Sequence, residues 1–352
     1  MKKVFFAVSF GIALLLALAV APARIASAKP SAQDDQIEHG RYIASIAGCV
    51  GCHSPINLET FTPVPGKEFS GGEPFPLGPL GTAYSKNLTS DKATGLGDWT
   101  DDEIKTAITT GVSKDGLHLF PIMPYVTFSN MADEDLDALV AYLRTIEPIE
   151  NSVERRQILP PEALPHIERK SGIVAPAPTD TAARGRYLMT SILVCNDCHT
   201  PVNPETGAPV MEKYFAGGQP FEGPWGIVYG GNITPDQETG IGSWTDADIE
   251  RLLRTQVRPD GRVAVVMPAL LIYTNLSDDD MKAVIYYLKN DVPPINGVVP
   301  AADLNEGFEN YVEIAPETPP VNIPLIAGIV LGVAVLVAGG AFLIMRQRPA
   351  AK

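Results

Sequence analysis

The pattern Cys-x-x-Cys-His occurs twice, at Cys49-Val50-Gly51-Cys52-His53 and at Cys195-Asn196-Asp197-Cys198-His199, and these two segments hold every cysteine of the chain. No other feature constrains the fold as strongly. Paired cysteines at this spacing suit a zinc site, a dithiol redox couple or the covalent attachment of a haem. A zinc ribbon needs no histidine after each pair, and thioredoxin-type motifs rarely carry one. A histidine in the same place twice points to haem: two thiols add across the two vinyl groups, and the adjacent imidazole ligates the iron from the proximal side. The chain is therefore read as a holder for two covalently bound haems c.

The ends predict where such a protein works. Lys2 and Lys3 precede an apolar run from Val4 to Val20, and Ala26-Ser27-Ala28 supplies a small-residue cleavage site. Residues 1–28 thus read as a secretory signal peptide. Residues 323–345 carry no charge over 23 positions and are followed by Arg346, Arg348 and Lys352. The length predicts a membrane-spanning helix, and the positive-inside rule assigns residues 346–352 to a cytoplasmic tail. The expected location is the plasma membrane of the cell, single-pass, with the haem domains on the periplasmic or extracellular side.

All 41 Asp and Glu lie within residues 29–322, with 21 of the 27 Lys and Arg, a formal charge of −20 for that part. This field discourages nucleic-acid binding and steers basic partners, although net charge serves plain solubility as well.

Between the ends the chain reads as two copies. Ile37 to Gly48 reads as a helix running into the first haem motif. Gly40-Arg41-Tyr42-Ile43 precedes that motif and Gly185-Arg186-Tyr187-Leu188 the second. A glycine followed by an aromatic here predicts two closely crossing helices with the ring over the contact. Gly/Pro-rich stretches follow each motif: Phe69-Ser70-Gly71-Gly72 with Pro74-Phe75, and Phe215-Ala216-Gly217-Gly218 with Pro220-Phe221. By composition these are loops, expected to wrap a haem edge. Asn87-Leu88-Thr89 and Asn232-Ile233-Thr234 come next, with Asn or Thr expected near a propionate. Both triplets match the glycosylation pattern, but their matched place in a repeat favours a structural role.

Helix starts follow. Thr100 with Glu103, and Thr245 with Asp248, predict capping boxes just after Trp99 and Trp244, two rings expected to pack on haem. Met123-Pro124 and Met267-Pro268 then lie 70 and 68 residues beyond their proximal histidines. A lone methionine is usually core filler; two matched ones before proline read as sixth iron ligands. Each copy closes with an amphipathic helix: Leu136, Leu139, Val140 and Leu143, then Met281, Val284, Ile285 and Leu288. Ser277 is placed to cap the second of these, where the first has Ala132. Tyr142 and Tyr287 are expected to meet the Gly-Arg-Tyr helices. His118, without a counterpart histidine in the second copy, reads as a propionate or surface contact.

Both haem motifs, both Met-Pro segments, the Gly-Arg-Tyr and Asn-x-Thr phrases, Gly-x-Gly-x-Trp-Thr and the Leu-Val-Ala-Tyr-Leu helix together resemble a tandem class I cytochrome c. More closely, the chain is similar to the multi-haem cytochrome c subunits that accompany bacterial membrane dehydrogenases for alcohols, aldehydes and gluconate. The resemblance covers about residues 36–148 and 180–292. It implies an all-α fold of two tandem cytochrome c-like domains followed by the C-terminal transmembrane helix, with a linker at 149–179 and a Pro-rich tether at 293–322. It implies haem held by Cys49, Cys52, Cys195 and Cys198, with His53 and Met123, and His199 and Met267, on the irons.

The expected activity is electron transfer, not enzyme catalysis: electrons enter one haem, pass to the other and leave to a redox partner in a respiratory chain. Members of the group often carry three haems where this chain has two. That leaves the partner open among a dehydrogenase, a quinol-oxidising complex, an oxidase and a reaction centre. The rival is a di-haem enzyme such as a peroxidase, which needs one iron with an open site.

Overall fold

In the computed structural model, the described residues are 31–57, 62–203, 208–223, 225–264, 266–267 and 272–306. The leader at 1–28 and the segment 323–345 lie outside them. No helix among the described residues is long and apolar enough to cross a membrane, so the membrane-spanning part of the expected fold has no support.

The repeat organises the chain. In the first copy α1 (Ala32–Ile46) leads into α2 (Cys49–Cys52), followed by α3 (Asp101–Thr110), α4 (Tyr125–Phe128) and α5 (Asp133–Leu143). The second copy has α6 (Thr181–Ser191), α7 (Cys195–His199), α8 (Asp246–Thr255), a single 3-10 turn at Tyr273–Asn275, and α9 (Asp278–Asn290). The helix starts follow the cap chemistry. Thr100 and Thr245 each accept from the backbone N–H three residues on, with Glu103 and Asp248 reaching back, which satisfies amides the helix itself leaves free. Ser277 caps α9, while Ala132 offers α5 no side-chain cap.

An all-α class does not hold. Short strands lie between the helices: β1 (Ile56–Asn57) pairs with β2 (Thr62–Pro63), β3 (Pro74–Pro76) with β4 (Thr82–Tyr84), and β5 (Pro220–Gly223) with β6 (Gly226–Tyr229), which also pairs with β7 (Asp303–Leu304). All pairs are antiparallel, with Phe75 opposite Ala83 and Phe221 opposite Val228. The physical reason is visible in β3, whose burial runs exposed, buried, exposed. Phe75 and Phe221 are inward residues of two-residue periodicity, set in Gly/Pro-rich surroundings that read as loop.

Within each copy the first helix packs on the last, and glycine makes the crossing. A Cβ on Gly40 would lie 1.8 Å from the Ala138 carbonyl oxygen, and one on Gly185 2.0 Å from that of Ala283. The Cβ atoms of Tyr142 and Tyr287 sit 2.9 Å from the same points, so these tyrosines cover the crossings.

Tyr42 and Tyr187, expected to do so, reach instead into the opposite copy. The Tyr42 hydroxyl donates to Asp280 at 2.6 Å and accepts from the Ser277 N–H at 3.2 Å. The Tyr187 hydroxyl donates to Asp135 and accepts from the Ala132 N–H at 2.9 Å. Both helix starts thus take the same bond from the other copy, at the N–H of Ala132 and of Ser277. Each aspartate also holds a basic group of its own copy: His39 lies 2.5 Å from Asp135, and Arg184 forks onto Asp280 at 2.8 and 2.9 Å. The two copies therefore join through matched, crossed contacts, as in an isologous dimer.

Candidate haem sites

Each attachment segment is a short turn of helix entered in a left-handed conformation, φ +76° at Gly48 and +48° at Val194. The Gly-Gly loop then buckles back onto it. Gly71 and Gly217, with φ of +71° and +75°, donate their N–H to the carbonyls of His53 and His199 at 2.8 Å. A side chain at Gly71 would meet the Lys86–Asn87 peptide at about 2.5 Å, so glycine is needed here on two counts. The loops expected along a haem edge thus brace the backbone of His53 and His199.

The imidazoles are oriented by backbone. His53 Nδ1 lies 2.8 Å from the Lys86 carbonyl and His199 Nδ1 2.7 Å from that of Gly231. A carbonyl can only accept, so Nδ1 carries the proton and Nε2 keeps its lone pair free for a metal. Desolvation holds both histidines below their ordinary pKa, favouring the neutral form an iron ligand needs. The four cysteines form no disulfide. Desolvation raises all four thiols, Cys49 and Cys195 to about 12 and Cys52 to about 11. Among the described residues no three His, Cys, Asp or Glu groups come together as a metal cluster.

In the first copy, Cys49, Cys52, His53, Trp99 and Met123 line one cavity of about 320 Å³, walled by Leu96, Ile104, Ile108, Phe128 and Leu139. The thiol pair, the free Nε2, the thioether and an apolar slot are the donor set and surroundings of a covalently held haem. The second copy carries His199, Trp244 and Met267 on matched elements. Both Trp244 and Met267 pack against the core, and the Arg258 guanidinium lies over the Trp244 ring, 5.8 Å from its centre. Residues 268–271, after Met267, lie outside the described ones.

Two details were not foreseen. Asn87 and Thr89 do not present free polar atoms to a propionate. Asn87 donates to Thr94 Oγ1 at 3.0 Å and to the Ile149 carbonyl at 2.7 Å, and Thr89 Oγ1 accepts from the Ile149 N–H at 3.1 Å. Asn232 and Thr234 do the same to Ile295. The triplets therefore pin the segment that leaves each copy.

In the first copy that segment is the inter-copy linker, and Val153 to Arg156 and Ile158 line the cavity. Arg155 pairs with Asp115 at 2.6 Å, Arg156 donates to the Leu80 carbonyl at 2.8 Å, and Lys86 donates to the Glu154 carbonyl. His118 lines the same cavity. At the corresponding places the second copy has Gly231, Ala301 and Ala302. The only sequence signal for this cationic rim was the Arg155-Arg156 pair itself, in a stretch read as surface linker.

Residues 37–147 match the family model for cytochrome c, so this part of the chain is a cytochrome c domain. The chain is 33% identical over 288 residues to the gluconate 2-dehydrogenase cytochrome c subunit of Pantoea cypripedii, covering 75% of this chain and 62% of that one. It is 31% identical over 273 residues to the fructose dehydrogenase cytochrome subunit of Gluconobacter japonicus, covering 74% and 53%. A diheme cytochrome c-type protein of Cereibacter sphaeroides is 28% identical over 277 residues, covering 74% and 87%. The chain thus spans less than two thirds of the two dehydrogenase subunits.

Proposed function

We propose that this chain is a di-haem electron-transfer protein, with one haem c in each of two domains at about residues 36–148 and 180–292. Cys49 and Cys52 hold the first haem and Cys195 and Cys198 the second. His53 with Met123, and His199 with Met267, would hold the two irons, and Trp99 and Trp244 would pack against the haems. The observation that carries this reading is the matched pair of imidazoles, each fixed through Nδ1 to a carbonyl so that Nε2 is left for iron, the first sharing its cavity with Met123.

Bound haem supplies reversible one-electron Fe(III)/Fe(II) chemistry. The chain sets how it is used. The carbonyls of Lys86 and Gly231 orient His53 and His199, the apolar walls limit water, and Arg155, Arg156 and Lys86 would offer cations to the carboxylates of a haem held in the first copy. No substrate bond is made or broken. Relatives named as subunits of fructose and gluconate dehydrogenases support a dehydrogenase as the partner, with a quinol-oxidising complex as the other source of electrons and a terminal acceptor beyond. The leader pattern of residues 1–28 supports work on the periplasmic or extracellular side.

Met123→Leu and Met267→Leu test the ligand set. Each variant opens one haem, lowers its potential and removes about half of the weak red band given by a thioether–ferric haem bond. A redox titration followed by absorbance reads both effects. Unchanged spectra and potentials in both variants would sink the assignment.

A further inference from the structure

The first copy's cavity is not closed by the first copy alone. Asp197 and Cys198 of the second attachment turn, and Ile272 and Tyr273 of the turn after Met267, form part of its wall. The fit is close: a Cβ on Gly48, the residue before Cys49, would lie 2.6 Å from Ile272 Cδ1. The second copy holds the same left-handed conformation at the matched place with a valine, Val194. Glycine at position 48 therefore answers to the packing of Ile272, and not only to backbone conformation. Tyr273 is tied to the second copy while it lines the cavity of the first. Buried, its hydroxyl donates to the Leu193 carbonyl at 3.3 Å and lies 4.0 Å from Cys195 Sγ. The crossed Tyr42–Asp280 and Tyr187–Asp135 contacts hold this arrangement from both sides.

We propose that Cys198 and Tyr273 form a wall shared by the two haem sites, so that the two haems couple electronically and exchange electrons through this single layer of side chains. Tyr273 and Ile272 act as positioning residues that set the separation. One electron leaves one iron as the other iron accepts it, with no proton or bond exchanged. The inference rests on the di-haem reading above.

Circular dichroism in the Soret region, on the full-length haem-loaded chain, tests it. Coupled haems give a two-signed couplet when both are oxidised or both reduced. In half-reduced molecules the two bands no longer coincide. During a reductive titration the couplet is expected to fall to about half or less near the midpoint and to recover at full reduction. The summed spectra of Cys49→Ala/Cys52→Ala and Cys195→Ala/Cys198→Ala, each with one haem, are expected to lack the couplet. Dichroism that tracks absorbance linearly through the titration overturns the proposal, and this part uses only the unmodified chain. A haem assay on the same sample separates the two failures: two haems per chain without a couplet removes the shared wall alone, while fewer than two removes the di-haem reading and the inference with it.

Discussion

Replacing Arg184 with methionine is expected to destabilise the haem-loaded chain by about 3–5 kcal/mol, the usual cost of removing one partner from a buried ion pair. Arg184 and Asp280 are 6% and 4% exposed and joined by two parallel hydrogen bonds. Without the guanidinium, Asp280 keeps the Tyr42 hydroxyl and the loss of a full counter-charge. The effect extends beyond the second copy, because Tyr42 belongs to the first. Urea denaturation reads it as a fall in the midpoint of the first transition; a shift of a few tenths of a kcal/mol would show that this joint carries no stability.

The first copy offers an internal contrast, since His39 stands where Arg184 stands in the second. Its pKa is raised, chiefly by the hydrogen bond to Asp135, with Glu134 adding to the shift and Arg184 and burial opposing it. A base whose folded pKa exceeds its unfolded value stabilises fully below the unfolded value, about 6.5, and loses that contribution as pH rises through the folded one. The joint is therefore expected to weaken as pH rises above the unfolded value. His39→Arg is expected to flatten that part of the profile, as the matched arginine would. An identical slope in the variant would remove His39 as its source.

Gly185→Ala is expected to cost about 3 kcal/mol or more, the upper end of overpacking penalties. The added Cβ would fall 2.0 Å from the Ala283 carbonyl oxygen, backbone that cannot rotate away, so α6 and α9 must separate. Gly40→Ala meets Ala138 at 1.8 Å and is expected to do the same to α1 and α5. Thermal melting of the haem-loaded variants checks both; an unchanged melting temperature would mean that the helices part at little cost.

What could be read in advance was chemistry held at short, fixed spacing. The haem motifs, the two capping boxes, the Ser277 cap and the glycine crossings are each specified by a few neighbouring residues. The hairpins escaped because β3 to β6 are only three or four residues long and sit among glycines and prolines that mark loops. The joint between copies escaped for a different reason. Tyr42 and Asp280 are 238 residues apart, and no local pattern distinguishes a tyrosine that covers its own helix from one that crosses to another. Arg155 and Arg156 looked like linker surface until Asn87 and Thr89 were seen to fold that linker back over the cavity.

The most direct test of the central claim is a redox titration of the full-length, haem-loaded protein with the haems counted, followed by carbon monoxide on the fully reduced form. Two haems per chain that both titrate, with neither binding the gas, is the result expected of two six-coordinate electron carriers. A haem that binds carbon monoxide readily would reveal an open iron and contradict the account.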